Sequence, residues 1–91
     1  MNYLPAREKA SIARRLRIIE GQVRGLSRMV ADGTYCIDVI AQTSAAKQAL
    51  SNVEDLLLES HLKSCVKKQM TSGQTGKAVG EVLTVYKLKR K

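Results

Sequence analysis

The sequence predicts an all-α fold, a three-helix protomer, and three observations carry that prediction. Apolar residues recur at alternating spacings of four and three through the first third of the chain. No proline follows Pro5, so nothing forbids long helices beyond it. The chain is 44% apolar but has no Trp and no Phe, so its core must come from Leu, Ile, Val and Ala. That set suits interlocked helices better than a β-sandwich, which draws on aromatic and β-branched runs. At 91 residues, the whole chain, 1–91, is read as a single domain. A domain this small buries a limited share of its surface, so a metal, a disulfide or self-association is a plausible support.

The first helix is predicted from about Ala6 to Asp32. Ile12, Leu16, Ile19, Val23, Leu26 and Val30 form its seam, and Gly33 of "ADGTYC" closes it. Gly21 and Gly25 weaken it modestly and are expected to mark close approach of another backbone. A second helix starts near Thr34 or Tyr35, with Thr34 the candidate N-cap and Asp38 favouring the first turn. No Gly or Pro interrupts it from Cys36 to about Met70. Its alanines Ala41, Ala45, Ala46 and Ala49 permit close helix contact, while Leu50, Val53, Leu56, Leu57, Leu58 and Leu62 carry much of the burial. The stretch "TSGQTG", Thr71 to Gly76, breaks that helix. Val79, Val82, Leu83 and Tyr86 then define a short third helix, followed by a basic tail of Lys87, Lys89, Arg90 and Lys91. The first two helices are expected to form an antiparallel hairpin. Three helices leave apolar faces uncovered, so a dimer or tetramer is expected.

The net charge of +8 points to a polyanionic partner, most often nucleic acid. On a helical wheel Arg7, Arg14, Arg17, Arg24 and Arg28 gather opposite the seam, with Lys9 and Arg15 flanking it. A merely solvated face would intersperse acids at four-residue spacing, yet Glu20 is the main acid among these residues. The planar guanidinium fork suits phosphate oxygens. Arg14, Arg15, Arg17, Arg24 and Arg28 are therefore the candidate DNA contacts. No helix-turn-helix, zinc-finger or ribbon signature is visible, which favours reading of backbone charge and duplex shape. With no signal peptide and no apolar stretch of membrane-spanning length, the expectation is a cytoplasmic protein with reduced thiols and no membrane partner.

"SHLKSC" holds the only histidine, His61, four residues before Cys65, so both lie on one helical face. Alone, the pair is equally what a surface histidine and a small buried cysteine would give. Cys36 falls within about 20° of both on the same wheel. Twenty-five helical residues separate it from His61, roughly 38 Å at 1.5 Å per residue, so one ion cannot bridge them within a straight helix. Two antiparallel copies would bring Cys36 of one chain beside His61 and Cys65 of the other, giving two equal sites per dimer. Two thiolates and one imidazole make a soft set. Zinc accepts it but generally takes a fourth ligand, whereas Cu(I) favours thiolates. One histidine and scattered acids supply no catalytic set, so neither enzyme activity nor a small-molecule substrate is expected.

"RLRIIEGQVRGLSRMV", "YCIDVIAQTSAAKQAL" and "HLKSC" together resemble the copper-sensitive operon repressor (CsoR) family, most strongly from Arg14 to Val66. The resemblance implies an all-helical dimer, paired into a homotetramer, that represses transcription by binding operator DNA when metal-free. It implies Cu(I) bound by Cys36 of one protomer and His61 and Cys65 of another, lowering DNA affinity and derepressing copper-resistance genes. It further implies that Tyr35 and Glu81 support the ligand set through the far ring nitrogen of His61. A thiol- or persulfide-sensing repressor of the same fold, using Cys36 and Cys65, is the rival reading. Persulfide-sensing relatives lack the histidine, so His61 argues against it.

Overall fold

Pro5 sits where its ring costs nothing: φ is −58° and the N–H it lacks would have had no helical partner. Its carbonyl accepts from the Lys9 N–H at 2.9 Å. In the computed structural model, which describes residues 4–90, this starts α1, Ala6–Ala31. Ile12 and Ile19 of the seam are buried, while Leu16, Val23 and Val30 between and beyond them are exposed in the single chain. The helix ends at Asp32. Gly33, at φ +70°, donates to Val30 O at 3.2 Å, and Thr34 donates to Met29 O at 2.9 Å. This pair of bonds is a Schellman motif, and its left-handed residue is best met by glycine.

The helix α2, Cys36–His61, follows. The Tyr35 carbonyl accepts from the N–H groups of Asp38 at 3.0 Å and Val39 at 3.2 Å, so Tyr35 rather than Thr34 takes the N-cap position. Ala46 and Val53, seven residues apart and hence on one stripe, are buried. With Ile12 and Ile19 they are the core of a compact unit, Pro5–Leu57. A cleft near the turn is lined by Gln22, Gly25, Leu26 and Met29 on one wall and Gln42 on the other, as the predicted antiparallel hairpin requires. The close backbone approach expected at the glycines is not found among the described residues. A Cβ at Gly25 would meet nothing within 4 Å, and one at Gly21 only the Arg24 guanidinium at 3.8 Å.

Residues 58–90 form a second compact unit. After His61 the helix widens into a π turn, Leu62–Val66, and returns to α geometry in α3, Lys67–Thr71. Nothing in residue type announced this turn. Within it, the Ser64 hydroxyl donates to the Ser60 carbonyl at 2.7 Å, a back-bond that competes with the helical ladder. The break expected over Thr71–Gly76 is only three residues long, 72–74. Gly73, at φ +82°, turns the chain by a second Schellman pair, Gly73 N–H to Met70 O at 3.4 Å and Gln74 N–H to Gln69 O at 2.6 Å. One positive-φ glycine suffices, so Thr71 stays in α3 and Gly76 falls in the first turn of α4, Thr75–Lys89. α3 and α4 pack together. Ala78 is buried, Val82 and Val85 are half-buried, and Val79, Leu83 and Tyr86 of the expected stripe are exposed. Lys87 and Lys89 lie in the last turn, where positive charge complements the helix dipole. No helix among the described residues is long and apolar enough to cross a membrane.

Candidate metal centre

His61 is the last residue of α2 and is half-buried. Its Nε2 is fully enclosed and has no hydrogen-bond partner among the described residues. An enclosed imidazole nitrogen without a partner carries a desolvation cost, so this atom calls for an acceptor or an ion. Cys65 stands four positions on, half-buried within the π turn. A π turn closes through i→i+5 bonds and so holds somewhat more than four residues. Positions i and i+4 therefore remain neighbours on one face, and the widening does not separate the two ligand candidates. Both cysteines are free thiols, with Cys36 exposed at the first position of α2.

Glu81 is exposed on α4, and its Oε1 accepts from Gln69 Nε2 at 2.8 Å. Tyr35 is 69% exposed. His61, Cys65 and Glu81 belong to the unit of residues 58–90, Cys36 and Tyr35 to the unit Pro5–Leu57. Among the described residues no group of three or more His, Cys, Asp or Glu side chains comes together as a metal cage. Gln69 had no place in the sequence-derived site. The signal available was its position, one further step of four beyond Cys65 and so on the same stripe as His61.

The candidate DNA face is solvent-facing throughout: Arg14, Arg15, Arg17, Arg24 and Arg28 are all exposed. Arg24 pairs with Glu20 at 3.3 Å, with the two side chains 70% and 68% exposed. At that exposure the pair contributes little to stability. Arg14, Arg15, Arg17 and Arg28 form no salt bridge among the described residues.

Residues 8–87, nearly the whole chain, match the family described as "Metal-sensitive transcriptional repressor". The chain belongs to that family. Membership in the metal-sensitive transcriptional repressors assigns it a regulatory role and not a catalytic one. Among its curated relatives, the copper-sensing transcriptional repressor CsoR of Bacillus subtilis (strain 168) is 42% identical over 87 residues, covering 96% of this chain and 86% of the relative. The copper-sensing transcriptional repressor RicR of Mycobacterium tuberculosis is 46% identical over 69 residues, covering 76% of this chain and 72% of the relative. A crystal structure of the copper-sensing repressor CsoR with Cu(I) from Geobacillus thermodenitrificans superposes with a TM-score of 0.89 at 41% identity, over 97% of this chain and 92% of that one. The all-helical architecture read from the sequence is thus that of the metal-sensitive repressors.

Proposed function

We propose that this chain is a copper(I)-responsive transcriptional repressor, metal-free on operator DNA and released when Cu(I) is bound between protomers. The observation that carries the reading is the half-buried His61 ring, its Nε2 enclosed and calling for an acceptor, one helical turn from a free, half-buried Cys65. It stands in a member of the metal-sensitive repressor family whose relatives are named copper-sensing. The proposed ligands are His61 and Cys65 with Cys36 of the partner subunit. Two thiolates and an imidazole fit a soft monovalent ion. When bound, copper supplies a tie between two protomers.

His61 has two tasks. Nε2 is enclosed by its own protomer and so is the poorer atom to meet an ion shared with a second one, which leaves Nδ1 as the ligand and Nε2–H as a donor to Glu81. Such a donor fixes the tautomer and the ring plane. Tyr35 precedes Cys36 directly and enters the site with it from the partner subunit. A homodimer, and two dimers in a homotetramer, are supported by the apolar surface one protomer leaves open at Leu16, Val23, Val30, Val79, Leu83 and Tyr86. One family match running across residues 8–87 supports a single functional domain over 1–91. A transcriptional repressor works where the chromosome is, which supports a cytoplasmic location.

Arg14, Arg15, Arg17, Arg24 and Arg28 are the proposed phosphate contacts. The ligands and the arginine face lie on different elements, so copper and operator oppose one another through the assembly and not by overlap. That opposition is reciprocal: whatever factor copper removes from DNA affinity, DNA removes from copper affinity.

The test is an anaerobic Cu(I) titration of protein bound to labelled promoter DNA, with zinc in parallel. Copper is expected to release the DNA at one equivalent per protomer. Mixed dimers carrying Cys36→Ala in one subunit and His61→Ala with Cys65→Ala in the other should bind one copper tightly instead of two. Zero or two tight sites would refute the shared site. A release that survives His61→Ala would favour the thiol-sensing alternative.

A further inference from the structure

We propose that Gln69 holds Glu81 in the metal-free protein, and that Glu81 leaves Gln69 for His61 when copper binds. The proposal deepens the reading above and rests on it, since it takes His61 as a ligand and Glu81 as its hydrogen-bond acceptor. Gln69 is then a positioning residue that sets the copper concentration at which the repressor responds.

Three observations support it. Gln69 Nε2 donates to Glu81 Oε1 at 2.8 Å, across from α3 to α4 and twelve residues along the chain. An ionised carboxylate only accepts, so the amide must present its NH2 to Glu81 and turn its carbonyl the other way. That carbonyl, Gln69 Oε1, is enclosed with no partner among the described residues. The third observation is His61 Nε2, likewise enclosed and without a partner. The same unit, residues 58–90, thus contains a buried ring nitrogen with no acceptor while the Glu81 carboxylate is engaged elsewhere. Glu59, the unit's other acid, is engaged by Lys63 at 2.9 Å, and beyond His61 the sequence contains no Asp and no Glu other than Glu81. The two donors therefore compete for a single carboxylate side chain.

Their roots lie eight residues apart, two turns along one stripe of the helix. In the metal-free protein the Gln69 amide holds Glu81, and His61 Nε2 makes no bond to it. Gln69 itself does not follow, because its backbone carbonyl is pinned by the Gln74 N–H at 2.6 Å and the Ser72 hydroxyl at 3.2 Å. The exchange is consequently a change of side-chain partner by Glu81, with the α3 terminus held still. Its direction follows from donor strength. An imidazole N–H whose other nitrogen is metal-bound is a more polarised donor than a neutral amide, and its hydrogen bond to a carboxylate is the stronger. Without metal, the amide keeps the carboxylate. With metal, the ring takes it.

Gln69→Met keeps the length of the side chain and its helix propensity but removes the donor. Measured by competition with a chromophoric Cu(I) chelator, the variant should bind Cu(I) about fivefold more tightly, the scale of one hydrogen bond lost from the competing state. The same substitution in a Glu81→Ala background should change nothing. Unchanged or weaker copper binding in Gln69→Met overturns the proposal, as does a gain that persists without Glu81. A readout free of metal runs alongside: in 15N-resolved spectra of the metal-free protein, the Gln69 side-chain amide should shift in Glu81→Ala, and identical spectra would overturn the proposal. If Cu(I) affinity survives His61→Ala, the ligand reading itself fails and this proposal falls with it. That result is separable from a failure at Gln69 because each variant is titrated singly.

Discussion

Two glycines, Gly73 in a left-handed turn and Gly80 inside α4, should respond to alanine with opposite sign. Gly73 holds φ +82° at the turn between α3 and α4, where the Schellman pair fixes the end of α3. An L-residue in the left-handed region costs about 1–2 kcal/mol. A Cβ there would meet nothing within 4 Å, so no clash adds to this figure. Reduced freedom of the unfolded chain returns about 0.4–1 kcal/mol. The net expectation for Gly73→Ala is a loss of about 1 kcal/mol. Gly80 lies inside α4, its φ is not positive, and its Cβ also has open space. There the helix preference of alanine applies unopposed, a gain of about 0.8–1 kcal/mol. With a urea slope of about 1–2 kcal/mol per molar for a chain of this size, the two midpoints should separate by about 1–2 M on opposite sides of wild type. Melts must share one protein concentration, because association feeds into apparent stability. A neutral Gly73→Ala would refute the strain assignment. A destabilising Gly80→Ala would refute the assumption that this face of α4 remains open in solution.

Two further outcomes follow from packing and charge. Arg14→Ala or Arg17→Ala should weaken operator binding and reduce the slope of log affinity against log salt by about 1 each, whereas Glu20→Gln should strengthen binding by freeing Arg24; titrations of labelled DNA at several salt concentrations decide, and unchanged slopes would move the DNA surface elsewhere. Val53→Ala removes two buried methyl groups from a residue only 4% exposed and should cost about 1.5–3 kcal/mol in a urea melt; a loss under 0.5 kcal/mol would mean that Val53 is not in the hairpin core.

The helices were legible because the apolar spacing that marks a helix also decides which residues can be buried. Ile12 and Ile19 are buried as the seam required, and Gly33 stops α1 by the left-handed conformation that its residue type favours. The third helix is less legible: Gly76 has the residue type of a loop but sits in a first helical turn, where the single reversal at Gly73 leaves it free to be helical. In the site, the one-turn spacing of His61 and Cys65 could be read directly, since side-chain periodicity alone sets it. The π turn between them could not. Its i→i+5 bonding has no residue-type signal, and the Ser64 back-bond that accompanies it also occurs at Ser27, Thr43 and Thr84 in regular helix. Gln69 escaped for a different reason. Its partner is twelve residues away on another helix, so the contact exists only once the Gly73 turn has folded.

The widened turn at Leu62–Val66 has a consequence for how this stretch tolerates change in length. A π turn is, in effect, an α-helix that carries one surplus amino acid. Delete a residue there and the ladder can close as ordinary α-helix, with Gln69 still facing the same way relative to His61. In a regular helix the same deletion would swing everything downstream by about 100° and carry the following side chains off their stripe. Relatives one residue shorter between the histidine and the α3 terminus are therefore compatible with the same arrangement, and a length difference placed in this turn is no sign of a different sensor.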